Sequence, residues 1–132
     1  MMRVPKLGAL IIPLFALAMT GCGSTSTAGG GGGNLSPSPI PAGAVTIKVV
    51  ANTQTVGAFD PSPATARVNQ PVAWQFTDSG NQHTVTSDDG SFPDSGTQSA
   101  GYVFYHTFSQ AGTFKYHCSL HSAMLGQITV TQ

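Results

Sequence analysis

The chain has 132 residues, a formal net charge of zero, only 8% charged residues and no glutamate, with 16 Gly and 9 Pro. That length holds one domain with appendages, and a balanced, sparse charge gives no basic surface for nucleic acid. Strong helix formers are scarce after residue 22, so the composition suits short strands and turns better than helices.

Residues 1–21 have the three parts of an export signal: basic Arg3 and Lys6, an apolar run over 7–18, then Met19, Thr20 and Gly21 before Cys22. The apolar run is about a dozen residues and contains Pro13, whereas a membrane span needs about 20. Met19-Thr20-Gly21-Cys22 resembles a bacterial lipobox, although Met19 stands where that pattern prefers leucine. The resemblance implies that Cys22 is the lipidated mature N-terminus. Residues 22–43 then read as a tether, with five consecutive glycines at 29–33 followed by Ser36-Pro37-Ser38-Pro39. Such a segment cannot bury enough apolar surface to fold, and as a flexible coil it reaches roughly 25 Å.

From residue 44 the pattern changes to alternating and β-branched runs. Strands are expected over 45–50, 64–68, 71–76, 82–86, 102–108, 113–118 and 125–131. The spacing predicts a loop over 87–101 and a hairpin that joins 102–108 to 113–118 across 109–112. About seven short strands so spaced predict an all-β, antiparallel β-sandwich over 44–132. Its expected core is Trp74, Phe76, Phe104, Phe108, Phe114 and Tyr116.

The last two expected strands flank Cys118, His121 and Met124, spaced Cys-x2-His-x2-Met. A thiolate, an imidazole and a thioether so close converge on one point if the chain turns tightly between them. With a second histidine this set is softer than zinc or magnesium sites use and suits copper with a weak axial methionine. His83, at the start of a short strand after the turn at 79–81, is the candidate second histidine. His117 neighbours Cys118 on a strand, so its side chain points to the opposite face. His106 lies mid-strand, opposite the region of Lys115 in the expected hairpin and short of the metal end. Taken singly, Cys118 reads as a small buried hydrophobe, Met124 as a gap-filler and His121 as a loop histidine. Jointly they favour a metal, since Met124 is the only methionine after residue 22. Zinc on Cys118, His83 and His121 is chemically possible, though such sites hold copper more tightly. Cys22 and Cys118 each have a use of their own, so no disulfide is expected. Metal binding also shields a lone thiol that is otherwise open to oxidation outside the cytoplasm.

Through AWQFTDSGNQHTVTSDDGSF and HTFSQAGTFKYHCSLHSAMLGQITV, residues 45–131 resemble the blue copper proteins (cupredoxins) of the plastocyanin, pseudoazurin and amicyanin type. The ligand loop is most similar to that of amicyanin. The resemblance implies a Greek-key sandwich with an eighth strand, and one type-1 copper ion on His83, Cys118, His121 and Met124. It also implies an electron port at His121 within an apolar patch that includes Leu120 and Ala123. No coordination position is then left for a substrate, so the chain is expected not to be an enzyme. Amicyanin-like loops place proline on both sides of the second histidine, where this chain has Leu120 and Ser122. The family often has asparagine after the first histidine; Thr84 stands there, and Thr84 and Ser119 are expected to tie the two ligand segments together. Asp88, Asp89 and Asp94 read as a solvated loop, with steering of a basic partner as the sharper reading. The expectation for the whole chain is a lipid-anchored, extracytoplasmic monomer, in the periplasm or at the cell surface. It would pass single electrons between transient redox protein partners. A copper-binding module for storage or delivery is the alternative, and a metal-free structural domain is a second.

Overall fold

The computed structural model describes residues 38–132. The export signal, Cys22 and most of the tether lie outside the described residues. The strands are β1 (Val45–Asn52), β2 (Val56–Asp60), β3 (Ala64–Arg67), β4 (Pro71–Phe76), β5 (Thr86–Ser87), β6 (Val103–Thr107), β7 (Gly112–Cys118) and β8 (His121–Thr131). They form two four-stranded sheets, ordered β2-β1-β4-β6 and β3-β8-β7-β5. Only the β1–β2 and β7–β8 hairpins stay within one sheet; every other connection crosses to the facing sheet, as in a Greek-key sandwich.

Period-two patterning accounts for the core. Ile47 and Val49 of β1 point inward with Lys48 outward, and β8 turns Met124, Gly126, Ile128 and Val130 inward. β4 lies between β1 and β6, and it buries Val72, Ala73, Trp74 and Phe76. Trp74 stacks on Phe92, tilts against Phe104 and meets Tyr116 edge-on, with ring centroids 5.4–5.7 Å apart. Such aromatic pairs each add about 0.5–1.5 kcal/mol beyond the area they bury. Of the expected core, Trp74, Phe76, Phe108 and Tyr116 are buried, while Phe104 and Phe114 are partly buried against it. Phe59 and Phe92 complete the cluster and were not among the residues expected there.

The structure corrects the expected pairings. Residues 102–108 and 113–118 do not form a hairpin, because β6 pairs with β4 and β7 pairs with β8. His106 therefore lies opposite Val72, and Lys115 opposite Gln127. Alternation tells which face of a strand is apolar, not which strand lies beside it. Phe108 and Phe114 meet across the gap between the sheets, with centroids 4.3 Å apart, so the same apolar faces serve either pairing. The sandwich is also not purely antiparallel: β1–β4 and β3–β8 are parallel, since crossing connections deliver those strands in the same direction. In the segment 82–86 only Thr86 pairs as a strand, and His83 makes an isolated bridge to Gln98. β2 was not expected at all, because a glycine interrupts its short pattern at Gly57.

Candidate metal centre

The β7–β8 hairpin builds most of the site. Cys118 and His121 face one another across a turn of only Ser119 and Leu120, with an irregular register between His117 and Cys118. His121 and Met124 thus already belong to β8, not to a loop ahead of a strand at 125. Cys118 and Met124 are each 1% exposed, so both sulfurs are shut away from water, while His121 is half-buried.

His83 arrives from the other side. Its backbone is clamped to Gln98 by two hydrogen bonds, N to O at 3.0 Å and O to N at 2.9 Å. Its ring, 1% exposed, brings Nδ1 to 3.2 Å from His121 Nδ1 and 3.9 Å from Cys118 Sγ. Cys118 Sγ lies 3.5 Å from His121 Nδ1. These three donors converge within 4.8 Å of one another. Met124 on β8 reaches the same place, under Gly57 of β2: a Cβ at Gly57 would lie 2.9 Å from both His83 Nδ1 and Met124 Sδ. The structure therefore brings together all four candidate donors, His83, Cys118, His121 and Met124.

Hydrogen bonds hold the two segments of this arrangement together. Thr84 N donates to Cys118 Sγ at 3.3 Å, and Ser119 N donates to Thr84 Oγ1 at 2.8 Å. Thr84 Oγ1 and Ser119 Oγ lie 3.0 Å apart, so the two ligand segments are tied as expected. Two contributors were not expected from the sequence. One is Asp78, buried behind His83 with Oδ2 at 2.8 Å from Nε2. The His83 ring is the main cause that holds the Asp78 carboxyl down at about 2, helped by the Gly80 amide. The second is Gly57, whose missing side chain leaves room for His83 and Met124; a glycine isolated in a strand pattern is the signal for such an approach.

At the surface beside His121 lie Leu120, 50% exposed, Ala123, and Val56, 45% exposed. Val56 was not expected in this patch, and it holds φ at 67°, which is rare for a β-branched residue. The other two histidines stay apart from the site. His117 points outward and meets Asp88 Oδ1 at 2.6 Å. His106 stacks on Phe92, and partial burial lowers its pKa. The loop carboxylates are engaged locally: Asp89 accepts from Ser87 and Ser91, and Asp94 from Thr86 and Gly96. That favours the reading of these residues as loop structure over steering.

Two imidazoles, a thiol and a thioether at the rim of a two-sheet sandwich match the donor types of a type-1 copper site, and the fold is cupredoxin-like. Halocyanin from Natronomonas pharaonis is 33% identical over 78 residues, which are 55% of this chain and 48% of halocyanin. The chain thus spans about half the length of the curated relative it matches. Among solved structures, a purple cupredoxin from Nitrosopumilus maritimus is 26% identical with a TM-score of 0.59, covering 65% of this chain and 98% of that one. A reduced mutant of amicyanin, 21% identical, has a TM-score of 0.58 and covers 69% of this chain and 85% of that one. No protein-family model matches the chain.

Proposed function

We propose that His83, Cys118, His121 and Met124 hold one type-1 copper ion, and that the protein carries single electrons between redox protein partners outside the cytoplasm. The carrying observation is the convergence of His83, Cys118 and His121 within 4.8 Å, with both sulfurs buried. A copper ion so held supplies a one-electron couple. The chain's own part is to keep the donors still. His83 is clamped to Gln98, Cys118 is held by the Thr84 amide, and His121 sits on the first residue of β8. Donors fixed before the electron arrives need little rearrangement when it does. His121, half-buried among Leu120, Ala123 and Val56, is the edge through which a partner makes contact, and its apolar rim suits brief docking.

The lipobox-like segment supports attachment at Cys22, with residues 22–43 as tether and 44–132 as a monomeric copper domain. Copper-loaded, oxidised protein should show an intense blue charge-transfer band from the Cys118 thiolate. Cys118→Ser should abolish it and His117→Ala should leave it. If His117→Ala bleaches the protein while His83→Ala does not, the ligand assignment is wrong. For a storage or delivery module, the ion would pass to a chelator or acceptor protein more readily than the protein cycles between oxidation states.

A further inference from the structure

Behind His83 stands a carboxylate that no donor set requires. Asp78 lies just past β4, one residue beyond Thr77, and its backbone amide donates to Val49 O at 3.1 Å, which ties it to β1. Its side chain is 2% exposed, and both oxygens are engaged. Oδ1 accepts from Gly80 N at 2.8 Å and Asn81 N at 3.2 Å. Oδ2 faces Asn81 Nδ2 at 3.4 Å and His83 Nε2 at 2.8 Å. An ionised carboxylate only accepts hydrogen bonds, so Nε2 must carry the proton and donate. In a neutral ring that leaves the lone pair on Nδ1, the nitrogen that faces Cys118 and His121.

We propose that Asp78 is a positioning residue for the metal: it fixes His83 in the tautomer that presents Nδ1, and its buried negative charge favours the more highly charged, oxidised state of the site. This rests on the copper reading above. A carboxylate one imidazole away raises the basicity of the ligand nitrogen. It also lies in a medium where charges are poorly screened. Both effects stabilise Cu(II) over Cu(I), so Asp78 lowers the reduction potential.

Asp78→Asn is a sharp test because it is nearly isosteric. The amide oxygen keeps the Gly80 and Asn81 N–H groups, which turns its NH2 toward His83 Nε2. That group now needs a lone pair at Nε2, so the proton moves to Nδ1 and the metal-facing lone pair is lost. The comparison variant is Asp60→Asn, which removes the same charge at the exposed far end of β2. Nitrogen-15 NMR of the full-length, metal-free protein, at a pH where imidazoles are neutral, should show Nε2–H for His83 in the wild type and Nδ1–H in Asp78→Asn. Copper titration should show Cu(II) affinity reduced about 10–100-fold. Voltammetry should show a raised potential, by about 59 mV for each tenfold loss of Cu(II) affinity relative to Cu(I). Asp60→Asn should move none of these. An Nδ1–H tautomer in the wild type overturns the inference, as does a potential in Asp78→Asn equal to that of Asp60→Asn. Should Asp78→Asn fail to fold, the wild-type tautomer alone decides. Should the wild type take up copper without turning blue, the copper reading fails, while the tautomer still judges Asp78.

Discussion

Tyr116 and Gly126 are cross-strand partners on β7 and β8, and the tyrosine ring fills the space a side chain at 126 would occupy. The ring is buried beneath the sheet, its hydroxyl 2.7 Å from the position of an added Cβ. Gly126→Ala should force the ring off its seat against Trp74 and Phe59. Overpacking of this kind costs about 1–3 kcal/mol, and about 4–8 °C in Tm per kcal/mol for a domain of this size. Thermal melting of the metal-free variant checks this, and a melt within 2 °C or so of the wild type would contradict it.

Gly57→Ala tests the packing over the site. Its methyl would collide with the His83 ring and the Met124 sulfur together. The expected result is a shifted or weakened visible band and lower copper affinity, at a smaller cost in stability than Gly126→Ala, because the surface hairpin at 52–56 can give way. An unchanged spectrum would show that β2 moves without disturbing the donors.

Acid should weaken the metal-free fold through Asp78. Folding lowers its pKa from 3.8 to about 2. A depressed carboxylate contributes stability that is whole above the unfolded value and lost as pH falls through the folded one. Urea midpoints should therefore decline from about pH 4 toward pH 2. The decline should be shallower in Asp78→Asn, where no charge is left to neutralise. Equal slopes in the two proteins would place the acid sensitivity elsewhere.

Cys22→Ser should turn a detergent-extracted membrane protein into a soluble or uncleaved one, with copper binding retained. Two acyl chains on one cysteine already anchor stably. Mass spectrometry that finds an unmodified mature terminus at another residue would remove the lipid anchor from the proposal.

The cluster of candidate donors was legible because a soft metal's demands are chemical. Cys118, His121 and Met124 announce themselves by type and spacing, and His83 by its place after a turn. What stayed hidden depends on contacts between distant segments. Asp78 lies in Thr77-Asp78-Ser79-Gly80, which reads as an ordinary turn; only the fold shows that its carboxylate points inward to His83. Gly57 and Val56 matter because the β1–β2 hairpin arches over β8; an isolated glycine signals a close approach, but no local pattern reports which side chains make it. The misread β6–β7 hairpin has the same origin. Phe104, Phe108, Phe114 and Tyr116 mark apolar faces correctly, yet two sheets facing each other and one continuous sheet make the same demand on them.

The tight turn at Ser119 and Leu120 also bears on how much a bound metal contributes to stability. Cys118, His121 and Met124 lie so near in sequence that an unfolded chain already offers them to a soft metal ion. A ligand stabilises a fold only by the excess of its affinity for the native state, and binding to the unfolded chain subtracts from that. In the proposed donor set, His83 is the one that only tertiary structure delivers. The gain in unfolding free energy on loading should therefore measure little more than the hold of His83, and the His83→Ala protein should melt at nearly the same temperature with and without the metal.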